Sequence, residues 1–288
     1  MRLLVLGGGG MLGRAVARAA ARLGHDAVAL AHADLDITDA EHVARVVAAA
    51  EPGAVVNCAA FTDVDGAEAA EARALRVNGE GAGNVARAAA VIGARLVHVS
   101  TDYVFDGSKR EPWLESDAVG PLQAYGRTKL AGERAVAASA EEHAIVRAAW
   151  LFGAGGRNFV ATMLRLGAER DDVQVVTDQR GGPTWTGHLA PALVEVAERR
   201  GDVGVFHATG TGECSWYELA AEIMDRAGLR CRVVPTTTER MARPARRPAY
   251  SVLGTERAPG VVLPPWRDGL AAYLAERERE GAEAPAAA

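Results

Sequence analysis

The chain has 288 residues, 49% hydrophobic and 24% charged, enough for one large domain, or a domain and a half, with a substantial core. Its net charge of −5 speaks against a nucleic-acid backbone as partner, and no basic block marks a membrane surface. Cys58, Cys214 and Cys231 are scattered and odd in number, so no disulfide framework or metal spacing can be read and a reducing cytoplasm is expected.

The first apolar run, residues 3–6, is too short for a signal-peptide core and reads as a strand. Glycines follow, then a helix over residues 10–23 whose Arg14, Arg18 and Arg22 make it unfit to span a membrane. Strands predicted at 27–31, 55–58, 96–100 and 145–149 alternate with helices at 40–50, 68–91 and 121–138. Strand, helix, strand at this spacing implies an α/β fold with right-handed crossovers and a doubly wound parallel sheet of the Rossmann type. The strand runs look apolar on both faces, as a sheet covered by helices requires. Beyond residue 150 the pattern loosens. Strands at 173–177 and 203–208 are expected to extend the same sheet, joined by a helix over 187–200. An amphipathic helix at 216–227 opens on Ser215 as a cap, and a proline- and arginine-rich segment follows at 235–248. Residues 1–150 and 173–208 are thus expected to form a dinucleotide-binding domain, with 151–172 and 209–260 as a smaller discontinuous α/β substrate lobe. Residues 261–280 carry a last helix, and 281–288 form a tail with no reason to order.

The glycine turn fits two spacings: Gly8, Gly10 and Gly13 as G-x-G-x-x-G, or Gly7, Gly10 and Gly13 as G-x-x-G-x-x-G. In either, one glycine permits the turn, one lets a pyrophosphate approach the backbone and one lets the helix pack close with its amides, those of Met11 and Leu12 among them, facing the phosphates. Asp34 stands where a carboxylate could hold an adenosine ribose, while Asp36-Ile37 suits an adenine amino group beside an apolar wall. The small residues of Cys58-Ala59-Ala60 allow the backbone close to a cofactor, and Cys58 reads as packing rather than as a nucleophile. Asn78, a poor helix former inside a predicted helix, is either a bridge to the active site or simply exposed.

Tyr125 and Lys129 form a Tyr-x-x-x-Lys pair, with Ser100-Thr101 at the carboxyl end of a predicted strand. Hydride transfer to a ketone leaves an alkoxide that needs a proton as charge develops. A free tyrosine titrates near ~10. A lysine cation one helical turn on is expected to lower that value and also to grip the nicotinamide ribose, while Thr101 hydrogen-bonds the carbonyl. Seven histidines show no metal-ligand grouping, and Ser100 has no glycine elbow for a serine hydrolase.

These residues resemble the extended short-chain dehydrogenase/reductase superfamily and, within it, the dTDP-4-dehydrorhamnose reductase family. The resemblance runs from Met1 to about Tyr273. It is carried by the glycine turn, Leu35-Asp36-Ile37-Thr38-Asp39, Ala59-Ala60-Phe61-Thr62-Asp63-Val64-Asp65, Ser100-Thr101-Asp102-Tyr103-Val104-Phe105-Asp106-Gly107 and the stretch from Pro121 to Glu133. Arg157-Asn158-Phe159, Asp178-Gln179-Arg180-Gly181-Gly182-Pro183-Thr184 and Ala245-Arg246-Arg247-Pro248 complete it. Nucleotide-sugar dehydratases resemble this pattern but place Asp-Glu after the threonine; here Asp102 is followed by Tyr103, so the elimination base is missing.

The resemblance implies an NADPH-dependent oxidoreductase, with NADH possible, acting on the C4 ketone of a dTDP-linked 6-deoxy-4-keto sugar, dTDP-4-dehydro-L-rhamnose above all. It implies Thr101, Tyr125 and Lys129 as catalytic residues and contacts from Thr62, Asp102, Tyr103, Trp150, Asn158 and Arg247 to the sugar nucleotide. Coenzyme contacts fall on Gly7, Gly10, Met11, Leu12, Gly13, Asp36, Ile37, Ala59, Ala60, Thr62, Tyr125 and Lys129. Some members carry a glutamate for a magnesium-linked dimer where this chain has Ala15, so no metal is expected, and the protein is expected as a monomer or homodimer. Two rivals stay open: a 4-ketoreductase for another dTDP-deoxysugar, and a non-catalytic subunit like the regulatory subunit of methionine adenosyltransferase.

Overall fold

A computed structural model of the chain describes residues 1–283. The first half alternates as expected: β1 (Arg2–Leu6), α1 (Met11–Arg22), β2 (Asp26–Leu30), α2 (Ala40–Ala50) and β3 (Ala54–Asn57). The single helix predicted at 68–91 is instead α3 (Val64–Ala69), α4 (Glu71–Leu75), a π-helical stretch (Arg76–Gly81) and α5 (Ala82–Val91). Next come β4 (Arg95–Thr101), a 3₁₀ turn (Asp102–Val104), α6 (Ala124–Ser139) and β5 (His143–Ala148).

The second half is made of shorter pieces. These are β6 (Leu151–Phe152), α7 (Phe159–Glu169), β7 (Asp172–Val176), β8 (Arg180–Gly181), β9 (Thr184–Trp185), α8 (Thr186–Glu198) and β10 (Gly204–His207). Then follow β11 (Gly210–Thr211), β12 (Cys214–Ser215), α9 (Trp216–Arg226), β13 (Arg232–Thr236), α10 (Thr238–Met241), β14 (Leu263–Pro265) and α11 (Trp266–Glu283). The tail expected at 281–288 is therefore helical through Glu283, and residues 284–288 lie outside the described residues.

Six parallel strands form the central sheet in the order β10-β5-β4-β3-β1-β2. Alternation along each strand divides the core. Leu3, Val5, Val56, Val97 and Val146 pack against Val16, Ala19 and Ala20 of α1 and Leu189 and Leu193 of α8. Leu4, Leu6, Val55, Leu96 and Ile145 pack against Val43, Val47, Val85 and Val136 on the other face. β2 departs from the two-faced expectation: it is an edge strand, and Val28 and Ala29 are exposed.

One strand assignment is corrected. Residues 172–176 do not extend the central sheet; β7 pairs in parallel with β13, Val173 opposite Val233. Its alternating burial is that of a strand with one covered face, whereas the central strands β3, β4 and β5 are buried throughout. β7 and β13 close over Ile223 and Met224 of α9 and Val160 and Met163 of α7, a second core of its own. Ser215 does open α9, in a reciprocal capping box with Glu218.

Candidate active site

The turn between β1 and α1 requires its glycines. Gly7 has φ +76°, and a Cβ there would stand 2.7 Å from the Ala59 amide nitrogen. A Cβ on Gly13 would overlap the Gly7 carbonyl, so α1 starts hard against the turn. Gly8 turns away, and a Cβ on it would stand 2.8 Å from the Ala29 Cβ, while Gly7, Gly10 and Gly13 face a cleft of about 900 Å³. The structure thus selects the G-x-x-G-x-x-G spacing. A Cβ on Gly10 would meet only the Gly7 carbonyl, at 3.3 Å, and otherwise open space.

Most of the residues singled out from the sequence line this same cleft. Gly7, Gly10, Met11, Leu12, Gly13, Asp36, Ile37, Ala59, Ala60 and Thr62 form one part, and Thr101, Asp102, Tyr103, Tyr125, Lys129 and Trp150 another. Asp36 accepts from the Thr38 amide (2.9 Å), which holds its carboxyl below the usual range and leaves it ionised. Asp34 instead accepts from the Ala31 amide (2.8 Å) and is not part of the cleft wall. Asn78 is buried in the π-helix: its amide pairs with the Phe61 N–H (2.8 Å) and carbonyl (3.2 Å) and donates to Thr128 (3.1 Å). It therefore ties the loop after β3 to α6, which resolves the alternative in favour of a bridge.

The candidate catalytic residues sit where β4 ends and α6 begins. Thr101 Oγ1 donates to Asp102 Oδ1 (3.0 Å) and accepts from the Tyr103 amide (3.2 Å). Burial pushes the Asp102 carboxyl up to about 7, and its Oδ2 has no hydrogen-bond partner among the described residues. Tyr125 is pushed up to about 12, first by burial and then by the Asp102 charge, opposed by the Thr101 hydroxyl. The expected lowering by Lys129 is not what acts here. The Lys129 Nζ donates to the Val99 carbonyl (2.6 Å) and stands 3.5 Å from His98 Nε2, and burial brings it down to about 8. Tyr125 is accordingly a fully protonated acid at neutral pH. Cys58, pushed up to about 12 by burial, is a neutral thiol, in keeping with packing.

Two expected sugar-nucleotide contacts lie outside the first cleft. Asn158 lines neither this cleft nor its neighbour; it caps α7 through Ala161 N (2.9 Å) and donates to the Gly153 carbonyl (2.9 Å). Arg247 lines a second cavity of about 1160 Å³, but its guanidinium grips Asp65 in a two-pronged pair (2.7 and 2.8 Å). Arg246 and Arg170 line that cavity with no carboxylate partner among the described residues. Tyr103 and Trp216 border both spaces. Trp216, which sequence reasoning passed over as a helix start, stacks on Trp150 with ring centroids 3.4 Å apart and planes at 5°. Trp150 holds a left-handed backbone (φ 48°), uncommon for a bulky residue. Trp150 precedes β6 and Trp216 opens α9, so only the tertiary fold brings the two indoles together.

The whole chain apart from its last residues, 1–279, matches the family model described as RmlD substrate binding domain. The chain belongs to this family. It is 47% identical over 277 residues to a dTDP-4-dehydrorhamnose reductase of Streptomyces griseus, covering 94% of this chain and 91% of the relative. It is 45% identical over 275 residues to a probable dTDP-4,6-dihydroxy-2-methyloxan-3-one 4-ketoreductase of Streptomyces antibioticus, covering 93% and 92%. Among solved structures, a dTDP-4-dehydrorhamnose reductase of Bacillus anthracis in complex with NADP superposes with a TM-score of 0.93 at 37% identity, covering 96% of this chain and 99% of that one. No helix among the described residues is long and apolar enough to cross a membrane.

Proposed function

We propose that this protein reduces the C4 ketone of dTDP-4-dehydro-L-rhamnose to dTDP-L-rhamnose with NADPH, and with NADH as a weaker alternative. The observation that carries this reading is the convergence of Thr101, Tyr125 and Lys129 with the glycine turn in one cleft that adjoins a cavity bordered by arginines. The amides and small residues of Gly7, Gly10, Met11, Leu12 and Gly13 suit the pyrophosphate, Asp36 and Ile37 the adenine, and Ala59, Ala60 and Thr62 the middle of the coenzyme. Lys129 and Tyr125 face the nicotinamide ribose. When bound, the reduced nicotinamide supplies the hydride.

The chain's own part is to orient the ketone and deliver a proton. Thr101 Oγ1 hydrogen-bonds the carbonyl, and Tyr125 gives its phenolic proton to the oxygen as charge develops there. The raised Tyr125 value keeps the acid loaded at neutral pH. Asp102, Tyr103 and the Trp150–Trp216 stack surround the sugar, while Arg246, Arg247 and Arg170 offer cationic surface for the nucleotide diphosphate.

The test is coupled turnover: dTDP-glucose with the upstream dehydratase and epimerase, following nicotinamide oxidation and identifying the sugar. Oxidation with formation of dTDP-L-rhamnose is expected; no oxidation with either coenzyme would sink the reading. A second reading, 4-ketoreduction of another dTDP-deoxysugar, draws on the nearly equal similarity to the Streptomyces antibioticus relative. A different C4 product would favour it.

A further inference from the structure

Behind Lys129 lies a chain of buried hydrogen bonds whose direction is dictated at one end. The Ala59 amide can only donate, and it donates to Asn57 Oδ1 (3.1 Å). That fixes which way the Asn57 carboxamide faces, so its Nδ2 donates to His98 Nδ1 (3.2 Å). Nδ1 must therefore carry the lone pair. His98 is fully buried, and burial above all keeps its value well below that of a free imidazole, so the ring is neutral. A neutral ring that accepts at Nδ1 carries its one proton on Nε2. Nε2 points at Lys129 Nζ, 3.5 Å away.

An ammonium has three donors and no lone pair, so it would set N–H against N–H at this contact. A neutral amine accepts from His98 and still donates to the Val99 carbonyl (2.6 Å). We propose that His98 is a positioning residue for Lys129, presenting Nε2–H to the lysine nitrogen and so disfavouring its ammonium form in the ligand-free protein.

Of the groups nearby, Glu133 works against this by favouring the ammonium. Glu133, one turn along α6, is committed to Arg147 of β5 (2.7 Å) and to Ser100 (2.5 Å), so its charge is largely spent elsewhere. Cys58, on the loop after β3, is a neutral thiol. Tyr125, on the same helix as Lys129, is a neutral phenol, and the groups acting on it are Asp102 and Thr101 rather than the lysine. The inference rests on Lys129 being part of the reductase site, but its test uses neither coenzyme nor substrate, so it can fail while the reductase reading stands, and the reverse.

The chain contains only two lysines, Lys109 and Lys129, so lysine labelled with ¹³C at Cε gives two NMR signals, and Lys109→Arg assigns them. In the ligand-free protein the Lys129 signal is expected to titrate near 8. Long-range ¹H–¹⁵N spectra should show His98 as the Nε2–H tautomer. His98→Gln puts in a carboxamide that can turn its oxygen to an ammonium, so the Lys129 midpoint should rise by about one pH unit or more. A charged or Nδ1–H His98 in the wild type would overturn the proposal even if the variant failed to fold. So would a Lys129 midpoint that is the same in wild type and His98→Gln.

Discussion

The glycine turn after β1 and the arginine segment after α10 both face cavities suited to phosphate-bearing ligands, and they are built in contrary ways. The turn offers backbone: Gly7 and Gly13 are locked by contacts no side chain could share, and nothing in it titrates. The segment offers side chains: Arg243 and Arg247 reach Asp65 at the start of α3, which ties the segment to that helix through ion pairs. A site made of backbone tolerates little substitution and is insensitive to pH. A site made of ion pairs can be retuned residue by residue and carries the pH and salt dependence of its charges. This difference suits a coenzyme shared by many enzymes on one side and a variable sugar nucleotide on the other.

The strongest way to test the junction of the two is Tyr125→Phe. It removes one hydroxyl, so kcat should fall by ~10²–10⁴-fold while coenzyme affinity stays nearly unchanged. Turnover that survived would mean the proton comes from elsewhere.

On the backbone side, Gly10→Val fills space that is open toward the cleft rather than the fold's interior. Coenzyme binding should weaken at least tenfold, ~1.4 kcal/mol, with little loss of Tm. Unchanged affinity, measured by fluorescence titration, would place the coenzyme somewhere other than the turn.

On the side-chain side, Arg247→Met leaves Asp65 with only the longer contact to Arg243 (3.7 Å). The sugar-nucleotide KM should rise several-fold while the coenzyme Kd moves by less than about twofold, in contrast to Gly10→Val. If both constants moved together, the two regions would not be separable.

The smallest effect concerns Asp102. Its carboxyl titrates near 7 in the folded chain, against about 3.9 when unfolded. Between those values the folded state keeps a proton the unfolded state has lost, so stability falls as pH rises through this window, by at most ~1.4 kcal/mol per pH unit. Asp102→Asn removes that slope. Its Tm advantage over wild type should be larger at pH 8 than at pH 5, and an advantage independent of pH would refute the assignment.

The dinucleotide-binding half was legible because its signals are local. A glycine turn between an apolar run and a helix, and a Tyr-x-x-x-Lys pair on one helix face, are short patterns whose meaning depends on neighbours a few residues away. The strand at 172–176 was misplaced because a short run of valines looks the same in either sheet; only Val233 opposite Val173 decides. The π-helical stretch at 76–81 and the role of Asn78 were equally hidden, since Phe61 and Thr128 lie 17 and 50 residues away.

By itself, then, the sequence determined the alternation of strand and helix, the glycine cradle and the tyrosine, lysine and threonine that share its cleft, all through periodicity and residue chemistry at short range. Tertiary structure alone decided the protonation and the partners. Tyr125 is a loaded acid and Asp102 a half-titrated one because of burial, Lys129 meets His98 because β4 runs beneath α6, and Trp150 meets Trp216 because the fold joins two points distant in the chain. Burial and contacts across long separations set free energies that no local pattern encodes.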